Sequence, residues 1–268
     1  MRLLGSAHNV TWARAAAELS GNSAHLMRQG KMPELRTAEA GSDFHFVKRE
    51  RPEEISATLV RLVQDRIPKG HHLDPIRDIQ VPCPMNRGSI GVRELNTVLQ
   101  CALNPARAGE HAVERFGWRF QVRDKVIQTE NYYKKEVFNG DIGTIEKIDP
   151  VEQELSIRFD DRLVVYDFEE LDEVSLAYAV TIHKAQGSEF SAVVIPVAMQ
   201  QHMLLQRNLI YTGITRAKQL LVVVGQRKAL DLAVSNDQSR KRCSGLLSSL
   251  KETGLIARHT DQMDENEG

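Results

Sequence analysis

The chain has 268 residues, enough for one large domain or two small ones. Lys plus Arg is 35 and Asp plus Glu is 36, a formal net charge of −1, with 41% apolar and 26% charged residues. That balance excludes a disordered tail, a collagen-like fibre and a disulfide scaffold, and no apolar run approaches the roughly 20 residues of a membrane span.

Residues 11–29 read as a helix on Trp12, Ala15, Ala16 and Leu19, interrupted near Gly21-Asn22 and stopped by Gly30 and Pro33. Asp43 to Val47 alternates as a strand does. Pro52-Glu53-Glu54 opens a helix, because proline suits its first position and acids its positive end. Ile55, Leu59, Leu62 and Val63 continue it at helical spacing. Ile76 to Val81 is a short strand, followed by the loop Cys83-Pro84-Met85-Asn86-Arg87-Gly88. Gly91 to Leu103 is a helix with Val92, Leu95, Leu99 and Leu103 on one face.

The period changes after Arg115. Short alternating runs begin at Lys125, Gly143, Leu155 and Leu163, separated by Asn139-Gly140-Asp141, Asp149-Pro150 and Asp160-Asp161. Such spacing describes a small barrel, and it is an insertion, because strand-and-helix alternation resumes after Asp172. Ser175 to Val180 reads as one strand, Ala192 to Ile195 as a buried strand, Met203 to Ile214 as a helix and Leu220 to Val224 as another buried strand. Helices at roughly 227–234 and 239–252 finish the pattern. The fold class is α/β: a parallel sheet covered by helices, with an inserted β-barrel.

The charge is uneven. Gln121 to Asp172 holds seven basic and fourteen acidic residues, a net of −7, and the remainder carries +6. Any polyanion site must therefore come from a local cluster outside the acidic segment. Residues 261–268 add four acids and no base, and read as a solvated tail. Cys83, Cys101 and Cys243 lie far apart with no C-x-x-C pair, which suits a reducing, cytoplasmic setting. No zinc site is expected, since His71-His72 has no further ligand at metal spacing, and Met1 to Val10 lacks the pattern of a secretory leader.

No G-x-x-x-x-G-K-[ST] phosphate loop and no G-x-S-x-G elbow occurs. Gly30-Lys31 has no glycine at the required offset, and Asp167, which ends the apolar run from Leu163, belongs to the barrel pattern. Two segments remain as carriers of chemistry. Thr181-Ile182-His183-Lys184-Ala185-Gln186-Gly187-Ser188-Glu189-Phe190 is dense in donors and sits at an expected strand-to-helix turn, where open parallel sheets line their ligand crevice; the alternative is a polar surface loop. In Asn208 to Lys218, Arg216 closes an apolar helix just before a buried strand. It suits either a pairing with an acid or helix end, or an arginine finger facing a transferring phosphoryl group.

These residues resemble a known family. Thr181 to Phe190 is similar to motif V, and Leu209 to Lys218 to motif VI, of RecD-like superfamily 1 DNA helicases. Pro84-Met85-Asn86-Arg87-Gly88 with Gly91 and Leu95-Asn96 resembles the loop and helix that open the conserved part of their second motor domain. Lys125 to Thr129 and Val137 to Gly143 resemble the start of the SH3-like 2B barrel inserted there. The resemblance runs from about Ala24 to Val234. It implies a discontinuous RecA-like domain 2A at 24–115 and 173–252, the barrel at 116–172, an unassigned segment 1–23 and an acidic tail 253–268.

The same resemblance implies an ATP-driven 5′→3′ DNA helicase of recombination and repair, of the UvrD-like C-terminal type. Thr181, His183 and Lys184, with Asn86 and Arg87, would face single-stranded DNA. Glu189 would lie near the ribose, Gln186-Gly187 would link the two sites, and Arg216 would reach the γ-phosphate as the catalytic arginine. The first motor domain's phosphate loop, magnesium-holding acid and strand-separating pin do not occur in the sequence. ATP with Mg2+ is then expected to be held mainly by a first motor domain on another polypeptide, and this chain alone to bind no cofactor and to hydrolyse little ATP. Competing readings are a non-catalytic module that binds DNA or a protein, and a degenerate helicase fragment.

Overall fold

The computed structural model describes residues 25–33 and 43–237. The helix read at 239–252, the tail, and 11–24 of the helix read at 11–29 fall outside them; 25–28 form a helical turn.

Five parallel strands form the central sheet, in the order β1 (Phe44–Lys48), β12 (Ala217–Gly225), β11 (Phe190–Val197), β2 (Ile79–Cys83) and β10 (Ala179–Thr181). The continuous apolar runs of β11 and β12 follow from burial on both faces. Alternate residues go to two cores. Ala192, Val194, Leu220, Val222 and Val224 join one with helices α1 (Pro52–Arg61) and α3 (Val92–Leu103). Val193, Ile195, Leu221 and Val223 join the other with α4 (Arg207–Ile214) and α5 (Arg227–Ser235). Met27 is buried in this second core.

The helix opened by Pro52 does not stay regular. After α1 it passes through a π-helical turn, Leu62–Arg66, into the short helix α2 (Ile67–His71). The strand read from Ile76 begins instead at Ile79, because the Asp74 carboxylate accepts the N–H groups of Ile76 and Arg77 and holds a turn. The helix read over Met203 to Ile214 is also broken: a 3-10 turn, Met199–Leu204, precedes α4, and Gln206 between them is extended.

The inserted barrel is an antiparallel sheet in the order β8 (Arg162–Asp167), β7 (Glu154–Phe159), β6 (Ile142–Asp149), β5 (Lys125–Gln128) and β9 (Val174–Leu176). The single strand read over Ser175 to Val180 is therefore two. Its first part, β9, pairs with β5 and carries the barrel sheet past Asp172, while β10 pairs with β2 in the central sheet. A hairpin unread in the sequence, β3 (Ala112–Arg115) and β4 (Trp118–Gln121), precedes the barrel.

Buried polar residues hold the barrel to the central sheet. Asp124 accepts hydrogen bonds from Asn104 (2.8 Å), Gln100 (2.6 Å), the Tyr178 hydroxyl (2.9 Å) and the Gln121 backbone N–H (2.8 Å). Burial nevertheless pushes its carboxyl up to about 6, against the opposing effect of those donors. Lys125, fully buried, donates to the Ile79 carbonyl (3.1 Å) and lies 5.5 Å from the Phe190 ring centre; desolvation lowers its ammonium to about 7. Asn96 exchanges two hydrogen bonds with the Ala179 backbone, and Gln80 donates to the Ala177 carbonyl. These bonds fix the short link from β9 to β10, and with it the start of the Thr181–Phe190 segment.

Candidate nucleic-acid and nucleotide site

Thr181 ends β10, and the chain then returns to the opposite end of the sheet to start β11 at Phe190. No helix intervenes, contrary to the strand-to-helix reading. The crossing is a series of tight turns: Ala185 N–H bonds to Thr181 O, Gln186 N–H to His183 O and Ser188 N–H to Ala185 O. Its apolar residues, Ile182 and Ala185, are buried in the second core, which leaves His183, Lys184, Gln186, Gly187 and Glu189 exposed. The alternation of polar and apolar residues thus reflects a turn laid against the sheet.

At the Thr181 end lies a cleft of about 300 Å³ lined by Asn86, Arg93, Phe116, Trp118, Thr181 and Lys184. Asn86 is placed by backbone bonds: the carbonyls of Met85 and Asn86 accept the N–H groups of Val92 and Arg93 at the start of α3. The Lys184 backbone N–H bonds to Thr181 Oγ1 (3.3 Å), and desolvation lowers the pKa of its ammonium. Of the residues assigned to DNA, Asn86, Thr181 and Lys184 share this cleft. Arg87 lines a wider groove between α1 and α3, and His183 is exposed on the turn.

The aromatic side of the cleft was missed in the sequence. Arg115 pairs with Trp118 across a two-residue turn, Phe116-Gly117, with φ of 51° and 80°. A bulky residue at positive φ is strained, and such strain collects at functional sites. Phe116 is 56% exposed at the hairpin tip, and the Arg93 guanidinium lies 5.8 Å from the Trp118 ring centre. Two alternating runs around Phe-Gly were the available signal.

Arg216 lies at the Phe190 end of the crossing. Its guanidinium donates to the carbonyls of Ser188 (3.2 Å) and Thr212 (3.1 Å) and to Thr215 Oγ1 (3.1 Å), and pairs with no carboxylate among the described residues. Its own carbonyl accepts the Phe190 N–H (2.9 Å). Gly213 lets α4 lie close against β11 and the crossing, since a Cβ there would stand 3.1 Å from Ile195 and 3.3 Å from Ile182. Glu189 is exposed and forms an ion pair with Lys218 (3.4 Å). The crossing therefore carries a cleft with cationic and aromatic walls at one end and a fixed, half-buried guanidinium at the other.

Residues 95–159 match the family described as the ATP-dependent RecD-like DNA helicase SH3 domain, and residues 176–224 match the UvrD-like helicase C-terminal domain. The ATP-dependent RecD2 DNA helicase of Deinococcus radiodurans is 36% identical over 174 residues, which are 65% of this chain and 23% of that protein. The RecBCD enzyme subunit RecD of Mycolicibacterium smegmatis is 29% identical over 178 residues, 65% of this chain and 29% of that one. Among solved structures, the Pif1 helicase of Candida albicans aligns with a TM-score of 0.49 at 14% identity, over 90% of this chain and 59% of that one. The chain spans about a quarter of the length of these RecD relatives. The two family matches, in this order, and the RecD relatives support a RecD-like helicase C-terminal half.

Proposed function

We propose that this chain serves as the 2A/2B half of an ATP-dependent RecD-like DNA helicase that moves 5′→3′. The observation that carries the reading is the placement of the Arg216 guanidinium on the Ser188 carbonyl, where it is paired with no carboxylate among the described residues. A fixed guanidinium of this kind stabilises the charge that develops on a transferring phosphoryl group. ATP, when bound, supplies that phosphoryl group. The donor chemistry fits it in part: Arg216, Gln186, Gly187 and Glu189 would face the nucleotide. A cradle for its phosphates would come from outside these 268 residues, because none occurs among them.

Single-stranded DNA would occupy the cleft between Asn86, Thr181 and Lys184, with bases against Phe116 and Trp118. Base stacking on aromatic side chains tolerates any sequence, which a motor requires. The Thr181–Phe190 crossing would then couple strand position at one end to Arg216 at the other.

The test mixes this chain with a separately expressed RecD-like first motor domain and follows ATP hydrolysis with and without single-stranded DNA. DNA-stimulated hydrolysis above that of the first domain alone is expected, and Arg216→Ala is expected to abolish the increase while leaving strand binding intact. No increase would exclude the motor reading. Salt-sensitive strand binding without any increase would favour the non-catalytic module, for which the aromatic cleft is sufficient. Direction is read on duplexes with 5′ or 3′ tails.

A further inference from the structure

A second cationic cleft lies away from the residues assigned above. It encloses about 470 Å³ between the end of β1 and the helix of α1 and the π turn, and its walls carry Arg49, Arg61 and Arg66 over Val47, Ala57 and Leu62. The π turn creates this convergence. In a regular α-helix residues 61 and 66 would point about 140° apart. Here the Ile67 N–H bonds back to Leu62 O, five residues earlier, so residues five apart stand one turn above another. Arg61 and Arg66 thereby face the same cleft.

The local acids offset it only in part, because each is bonded to a cation outside the cleft. Glu54, which also lines the cleft, is bound by the Arg51 guanidinium (2.7 and 2.9 Å), which holds its carboxyl below the usual range. Asp65 is paired with Lys69 at 2.5 Å, with the same direction of shift. Arg49 donates to Thr58 Oγ1 and to the Lys48 carbonyl, both neutral. Arg61 and Arg66 form no ion pair or hydrogen bond among the described residues. Asp65 also attracts Arg66 and Arg61 at a distance, but no carboxylate is bonded to any of the three guanidinium groups among the described residues, and the planar fork of arginine matches phosphoryl oxygens two at a time.

We propose that the Arg49–Arg61–Arg66 cleft is a binding site for phosphoryl oxyanions, separate from the Thr181–Arg216 site. The ligand is either a free phosphate compound or the backbone phosphates of a nucleic-acid strand. The full chain is titrated with inorganic phosphate at constant ionic strength, by calorimetry. It is also titrated with a labelled oligothymidylate at several salt concentrations, by anisotropy. The variants are Arg61→Gln/Arg66→Gln, Arg61→Lys/Arg66→Lys, and Lys184→Ala as the control for the other site.

The double Gln variant is expected to weaken phosphate binding at least tenfold. The double Lys variant should weaken it several-fold, because it keeps the charge and loses the fork. If the source is a strand, the Gln pair also lowers the slope of log K against log salt by about 1.4, two single-strand phosphates at ~0.7 each. That loss should add to the effect of Lys184→Ala. A phosphate effect with an unchanged slope assigns the cleft to a free phosphate compound. Unchanged phosphate binding and an unchanged slope in the Gln variant, with its melting temperature preserved, overturn the proposal. Both arginines are exposed, so the fold does not depend on them. Failure here leaves the reading of Arg216 untouched, because that reading is judged on ATP hydrolysis.

Discussion

Replacing Asp124 by alanine tests the junction between barrel and sheet. The change removes the acceptor of four buried donors. Gln100 and Asn104 keep one bond each, to the carbonyls of Arg119 (2.8 Å) and Val122 (2.9 Å). The Tyr178 hydroxyl and the Gln121 N–H lose the acceptor to which they donate. An orphaned buried donor costs about 1–3 kcal/mol, so Asp124→Ala should lose about 2–6 kcal/mol. Urea unfolding followed by circular dichroism at pH 7 measures the loss. The pH dependence has a definite sign. The folded carboxyl titrates near 6, above its ordinary value of 3.8, so the folded state holds the proton more tightly between them. This group's contribution is therefore fully present below about 4 and is lost as pH rises through 6, by up to about 3 kcal/mol. The gap between parent and Asp124→Ala should widen on going from pH 7 to pH 5. A loss under about 1 kcal/mol at pH 7, or a gap that narrows with acidity, would refute the account.

Lys125 behaves in the opposite sense. Its folded value near 7 lies below the ordinary 10.5, so stability should rise with pH between the two. In Lys125→Met that slope should vanish, with stability at pH 7 within about 1 kcal/mol of the parent, or above it; equilibrium unfolding across that range checks both. Gly225 ends β12 at φ 148°, where a Cβ would stand 1.8 Å from the Val197 carbonyl oxygen, so Gly225→Ala should cost about 3 kcal/mol or more in the same assay. Phe116→Ala should weaken oligothymidylate binding by about 1–3 kcal/mol with an unchanged salt slope, because it removes stacking and no charge. Lys184→Ala should lower that slope by about 0.7, and equal slopes would remove Lys184 from the strand.

Much of the fold is legible in the chain alone, for a physical reason. β11 and β12 announce themselves because burial on both faces demands unbroken apolar runs, and α3 because Leu95 and Leu99 must return to one face. Thr181–Phe190 and Leu209–Lys218 stand out because their polar residues and glycines serve a local turn and a close approach. What a residue pairs with across the chain is another matter. Val174–Leu176 and Ala179–Thr181 have one strand-like pattern, yet the first belongs to the barrel and the second to the central sheet. The division is made by Gln80, Asn96, Asp124 and Tyr178, which meet only on folding. Phe116 and Lys184 are far apart in sequence and share a cleft because a hairpin returns over the end of β10. The π turn is invisible to a period of 3.6, since its extra residue per turn shows only in the hydrogen bond from Ile67 to Leu62. Local periodicity thus determined which segments are strands and helices, while tertiary packing decided which side chains share a site, because that depends on contacts no short window contains.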